Sequence, residues 1–136
     1  MTSMFDGWCK LSNRQPVPAP PVLVAQFVAE IAPLGIEAAW NAVQDISRAH
    51  YLIGLADPTL SRPVTLALSN IARIDPPRSW KKEHKANFEA LPYYLQRYVA
   101  EREDDRERTI RRAMNDAAVA KQELETVKNG APKAAA

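Results

Sequence analysis

Cysteine, glycine and histidine are scarce in this chain. A single cysteine, Cys9, among 136 residues excludes an intrachain disulfide. The two histidines, His50 and His84, stand too far apart for any recognised zinc-ligand spacing, so neither a metal nor another cofactor is expected. The four glycines do not cluster, which leaves no loop able to cradle a phosphate. No apolar run reaches the roughly 18–20 residues needed to cross a bilayer, because Gln26, Glu30 and Pro33 interrupt the most apolar stretch. The N-terminus has no basic region followed by an apolar segment and a cleavage site, so no secretory signal is read. The expectation is a cytoplasmic protein with no membrane partner. Nucleophilic catalysis needs a base held beside a hydroxyl or thiol, and no pattern here supplies one. His50 falls on an apolar helical stripe and reads as a core histidine, and Cys9 beside Trp8 reads as a small buried hydrophobe. Asp104 and Asp105 fall in a solvated charged run. The chain is not expected to be an enzyme.

What is present is an ordinary globular composition, 46% hydrophobic and 25% charged, with length for one compact domain and an appended element. The fold class expected is all-α, a small helical bundle followed by a long charged helix. Met1–Leu11 reads as a short helix burying Phe5 and Trp8 at i, i+3, and the four prolines of Ser12–Pro21 read as an extended connection. In Val22–Ala32 the residues Leu23, Val24, Phe27, Val28 and Ile31 recur at helical spacing, and Pro33 and Gly35 stop the helix. A second stripe, Ala39, Val43, Ile46 and His50, predicts a helix over Glu37–His50. Asp57-Pro58-Thr59 reads as a turn and Ser61 as the N-cap of a helix carrying Val64, Leu68 and Ile71. Residues 1–75 are thus one domain, closed by Pro76-Pro77. Residues 76–92 read as a basic linker or helix, with Trp80, His84, Phe88 and Leu91 on one stripe. Residues 93–128 read as a long charged helix, and 129–136, with Gly130 and Pro132 as breakers, as a disordered tail.

Charge is uneven along this order. Residues 1–75 carry five bases and six acids, whereas residues 76–136 carry thirteen bases and ten acids. The excess begins where Arg78, Lys81, Lys82 and Lys85 face one acid, Glu83. Between Arg97 and Arg112 eleven of sixteen residues are charged, so no side of that segment can face a core. An apolar seam of Ile110, Met114, Ala117 and Leu124 follows, with Lys121 in its middle, and predicts a homodimer through the C-terminal helix.

The first 73 residues resemble the N-terminal core-binding domain of Cre-like tyrosine recombinases of the phage integrase family. The run Trp8-Cys9-Lys10-Leu11-Ser12-Asn13-Arg14 followed by Pro18-Ala19 carries the likeness. Leu34-Gly35-Ile36, Val43, Ile46, His50, Gly54-Leu55, Asp57-Pro58-Thr59, Ser61, Val64, Leu68 and Ile71 continue it at the family's spacing. The resemblance implies a SAM-like helical domain forming half of a clamp on DNA. It also implies departures. The family's first recognition helix is longer at its start than the segment before Leu11. The second begins here with Glu37-Ala38-Ala39, an acid where phosphate would approach, and Ser69 and Asn70 replace positions that are often basic. The arginines, the lysine, the His-x-x-Arg pair and the nucleophilic tyrosine of the family's catalytic domain have no counterparts in this sequence.

The resemblance therefore implies a non-catalytic DNA-binding module from a DNA recombination or integration context on a mobile element, or the remnant of a longer gene. Its partner would be double-stranded DNA, bound weakly and without sequence preference. Arg48, Arg73, Arg78, Lys81, Lys82 and Lys85 would supply phosphate contacts and Asn41 the base reading. The alternative is a protein-interaction module that binds no DNA and pairs its C-terminal helix with a partner or with itself.

Overall fold

The computed structural model describes residues 3–135, with side chains described as far as Asn129. The described residues contain no strand. They form six α-helices, α1 (Met4–Leu11), α2 (Pro21–Ile31), α3 (Ile36–Leu52), α4 (Arg62–Ile71), α5 (Lys82–Glu89) and α6 (Tyr93–Ala135), with single 3₁₀ turns at Ala32–Leu34 and Pro58–Leu60. No helix among them is long and apolar enough to cross a membrane. Two compact units are present, Met1–Ala100 and Glu101–Ala136.

In the first unit α2 is apolar on several sides because α1, α3 and α4 all border it. Leu23, Val24, Phe27, Val28 and Ile31 are buried, and α2 lies most extensively along α4, whose Val64 and Leu68 are buried in turn. Val43, Ile46 and His50 of α3 complete the core expected from the stripes, while Ile71 packs against its edge. α1 is only two turns long, too short to be stable alone. A reciprocal capping box between Ser3 and Asp6 starts it. Phe5 then meets Phe27 edge-on with ring centroids 5.0 Å apart, Trp8 meets Phe27 at 5.4 Å, and the Trp8 indole N–H donates to Glu30. Gly35 and Gly54 take φ of +92° and +72° at the two ends of α3, a region that glycine enters without the Cβ clash.

Two boundaries differ from those read in the sequence. The domain does not close at residue 75, for the compact unit runs to Ala100. Phe88, in the segment read as a basic linker or helix, is buried, and so are Tyr93 and Gln96 at the start of the helix that follows, which makes both stretches part of the first unit. The helix restarts across Leu91-Pro92, since α5 ends at Glu89 and α6 begins at Tyr93. At the other end α6 continues to Ala135 and includes Gly130 and Pro132, where the sequence places a disordered tail. Both breakers fall within the last six residues of the helix, where few backbone bonds depend on them.

The second unit is helical without a core. Every residue from 108 to 129 is exposed. Ion pairs within one helical turn, Arg106–Glu103 at 3.9 Å, Arg108–Asp105 at 3.8 Å and Arg111–Glu107 at 3.5 Å, line its charged part and contribute a few tenths of a kcal/mol each.

Candidate functional site

α4 ends at Ile71, and Pro76-Pro77 carry the chain onward in extended form, with Pro77 buried. The Trp80 amide donates to the Pro77 carbonyl at 3.1 Å, folding Arg78 and Ser79 into a turn. Trp80 then sets its ring edge-on to Phe88, centroids 5.7 Å apart, and Phe88 is 0% exposed. That contact fixes the entry to α5. Lys81 stands at the N-cap with no side-chain hydrogen bond to the first turn.

Three further contacts hold this segment to the bundle. The Arg73 guanidinium reaches Glu89 at 2.8 Å and Asp75 at 3.5 Å, bridging the end of α4 to the end of α5. The buried Gln96 side chain donates to the carbonyls of Glu89 (3.3 Å) and Leu91 (3.0 Å), satisfying the last turn of α5 and the restart before α6. Tyr93 donates its backbone N–H to Thr65 Oγ1 (3.2 Å) and its hydroxyl to the Ala72 carbonyl (2.6 Å). Burial, ahead of the opposing Arg97 charge, pushes the Tyr93 hydroxyl above its ordinary pKa.

On this support the basic side chains gather. Arg78, Lys81 and Lys82 are exposed and Lys85 is half-buried. Among the described residues none of the four has an ion-pair partner. Beside them an open groove of about 510 Å³ is lined by Ser79, Trp80, Lys81, His84 and Asn87. It offers an aromatic ring, an ammonium, an imidazole and an amide within one short segment. Those groups suit a polyanion, the ammonium for phosphate and the ring and amide for sugar or base edges.

The other residues singled out in the sequence stand apart from this group. Asn41 and Arg48 are exposed on α3, and Arg48 is ion-paired with Asp45 one turn before it. Arg73 belongs to the ion-pair bridge just described, so its charge is partly neutralised. Trp40, beside Asn41, is committed to intramolecular packing. Its ring meets Tyr93 at 5.6 Å, and the Arg97 guanidinium lies 4.8 Å above it.

A second recess of about 380 Å³ opens between α3, the 58–60 turn and the start of α6, walled by Trp40, Val43, Leu60, Leu68, Tyr93 and Tyr94, with Gln44, Ser47, Arg48, Asp57 and Thr59 around it. Its acid is already engaged. Asp57 accepts from the Thr59 amide (2.9 Å) and hydroxyl (2.6 Å) and from the Ser47 hydroxyl (2.5 Å), so it holds the turn before α4. The ring of His50 is engaged as well. Its Nε2 accepts from the Ala19 N–H at 3.0 Å, which leaves Nδ1 to donate to the Ile46 carbonyl at 2.8 Å. Burial, and then Asp6, push the Cys9 thiol above its ordinary range and so suppress its thiolate. No three His, Cys, Asp or Glu side chains among the described residues are grouped to hold a metal ion.

The sequence yields the four bases but not Trp80, Asn87, Gln96 or Thr65 as parts of one arrangement. Only the bases form a run, whereas Thr65 and Tyr93 meet across 28 residues. Compared with models of protein families, with curated proteins and with solved structures, the chain matches none.

Proposed function

We propose that this protein is a non-catalytic module that binds duplex DNA weakly, with little sequence preference, through residues 78–87. The observation that carries the reading is the set of four unpaired bases, Arg78, Lys81, Lys82 and Lys85, gathered on a segment anchored by Phe88, Gln96 and the Arg73–Glu89 bridge. Cations held on an anchored segment lose less freedom when they meet phosphates than cations on a free linker. The recombinase-like features of residues 1–73 agree with this reading and suggest a recombination or integration setting. Asn41 and Arg48 supply secondary contacts from α3, where Glu37 and Asp45 limit what they add.

With about four phosphate contacts, log K falls with log salt at a slope of about −3 to −4, and affinity near physiological salt lies around 10⁻⁴–10⁻⁶ M. Fluorescence anisotropy of a labelled duplex, titrated with the full chain at a series of salt concentrations, tests this. Binding that weakens along that slope and differs little between unrelated duplexes supports the reading. The absence of salt-sensitive binding to any duplex at low ionic strength overturns it.

A further inference from the structure

Residues 110–127 lie in the coreless part of α6, where every side chain is exposed. The apolar seam of Ile110, Met114, Ala117 and Leu124 runs into Lys121. Moving alternate positions back by one residue removes the conflict. Ile110, Ala113, Ala117, Ala120, Leu124 and Val127 then follow strict alternating steps of three and four, the a and d pattern of a two-stranded coiled coil. Ile110, Leu124 and Val127 on this face are 47%, 61% and 66% exposed.

In that register the seam has an acidic flank, Asp116 and Glu123, and a basic flank, Lys121 and Lys128. Among the described residues none of these four makes an ion pair within its own chain, although Glu103, Asp105 and Glu107 nearby all do.

We propose that this face pairs with the same face of a second copy of the chain, as a parallel coiled coil in register. Charge selects both the occupant and the direction. In a parallel pair each acidic flank residue faces the residue five positions further on in the other helix, so Asp116 meets Lys121 and Glu123 meets Lys128, twice over by symmetry. In an antiparallel pair, like flanks face each other, acid against acid and lysine against lysine. Three alanines in the seam bury little area, so the pair forms only at high chain concentration, with a dissociation constant on the order of 10⁻⁵–10⁻⁴ M. The pairing does not depend on the DNA-binding reading. Should both hold, each dimer carries two basic segments and gains affinity for long duplexes through multivalency.

Sedimentation equilibrium of the full chain, run from well below to about tenfold above that range, is expected to show a monomer passing to a dimer. Direction is read by trapping. In a Cys9→Ser background, Val127→Cys places the two introduced thiols side by side in the parallel pair, and oxidation links the chains. In an antiparallel pair position 127 lies opposite position 110, with the thiols about 25 Å apart and no link formed. Charge is read by two variants at exposed positions, Lys121→Glu with Lys128→Glu, and Asp116→Lys with Glu123→Lys. Each alone weakens self-association by at least about tenfold, and mixing the two restores it, which also shows that neither has lost its helix. A monomer at every concentration, a dimer whose thiols do not link, or a dimer indifferent to both charge variants overturns the proposal.

Discussion

Residues 3–100 and residues 101–129 are both mainly helical, yet their helices have different causes. In the first unit the helices owe their order to burial, as the eight-residue α1 does to Phe5 and Cys9, both under 3% exposed. Among the described residues of the second unit no side chain is buried, and ion pairs one turn apart with helix-favouring Ala, Glu, Arg and Lys are what the sequence provides instead. One kind of helix is specified by tertiary contact and the other by local preference. A side chain therefore matters in proportion to what it touches, and the same substitution should have very different consequences on the two sides of residue 100.

The largest expected effect separates the units most sharply. Phe27→Ala removes a side chain that meets Phe5 and Trp8 in the core and should cost about 3–5 kcal/mol in chemical denaturation. Leu124→Ala at dilute concentration should change the same midpoint by less than about 0.5 kcal/mol. Equal effects would dissolve the distinction.

A smaller effect tests whether residues 76–100 belong to the first unit. Gln96→Leu leaves the carbonyls of Glu89 and Leu91 without their side-chain donor and should cost about 1–2 kcal/mol. Limited proteolysis should show new cleavage between residues 76 and 92. An unchanged digestion pattern would mark that stretch as the linker its composition suggests.

The smallest effect concerns Cys9. Burial raises its pKa in the folded chain, so above about pH 8.5 the unfolded chain releases the thiol proton more readily. Stability contributed below that pH is lost as pH rises beyond it, and Cys9→Ala should remove that part of the alkaline decline. A thiol reagent should accordingly react with the native protein far more slowly than with the denatured chain. Equal rates would place Cys9 at the surface.

These contrasts also show which features the sequence makes legible. Helices α2, α3 and α4 and their shared core can be read because apolar residues recur at three and four steps and Gly35 and Gly54 mark the ends of α3. The N-cap of α4 is less transparent. Ser61 occupies the position, but its hydroxyl donates to the Pro58 carbonyl at 2.9 Å, while Asp57 accepts the Thr59 amide in the turn before it. Which of two neighbouring polar residues captures a free amide depends on backbone angles that spacing does not carry. The end of the domain is illegible for a different reason. Composition makes residues 76–92 read as a basic linker or helix, and Tyr93 is recognisable as core only once Thr65 of α4 lies against it. The four bases of the candidate site can be read as a run. That Arg73 leaves the set by pairing with Glu89, sixteen residues on, depends on the fold.

The claim that these bases bind DNA is tested most directly by a duplex titration of the full chain beside the variant Arg78→Ala, Lys81→Ala, Lys82→Ala, Lys85→Ala at low salt. The wild type should bind with the salt dependence stated above, and the variant, with an unchanged far-ultraviolet spectrum, should lose binding to all duplexes about equally. A variant that still binds like the wild type would contradict the account, because the contacts would then lie elsewhere on the molecule.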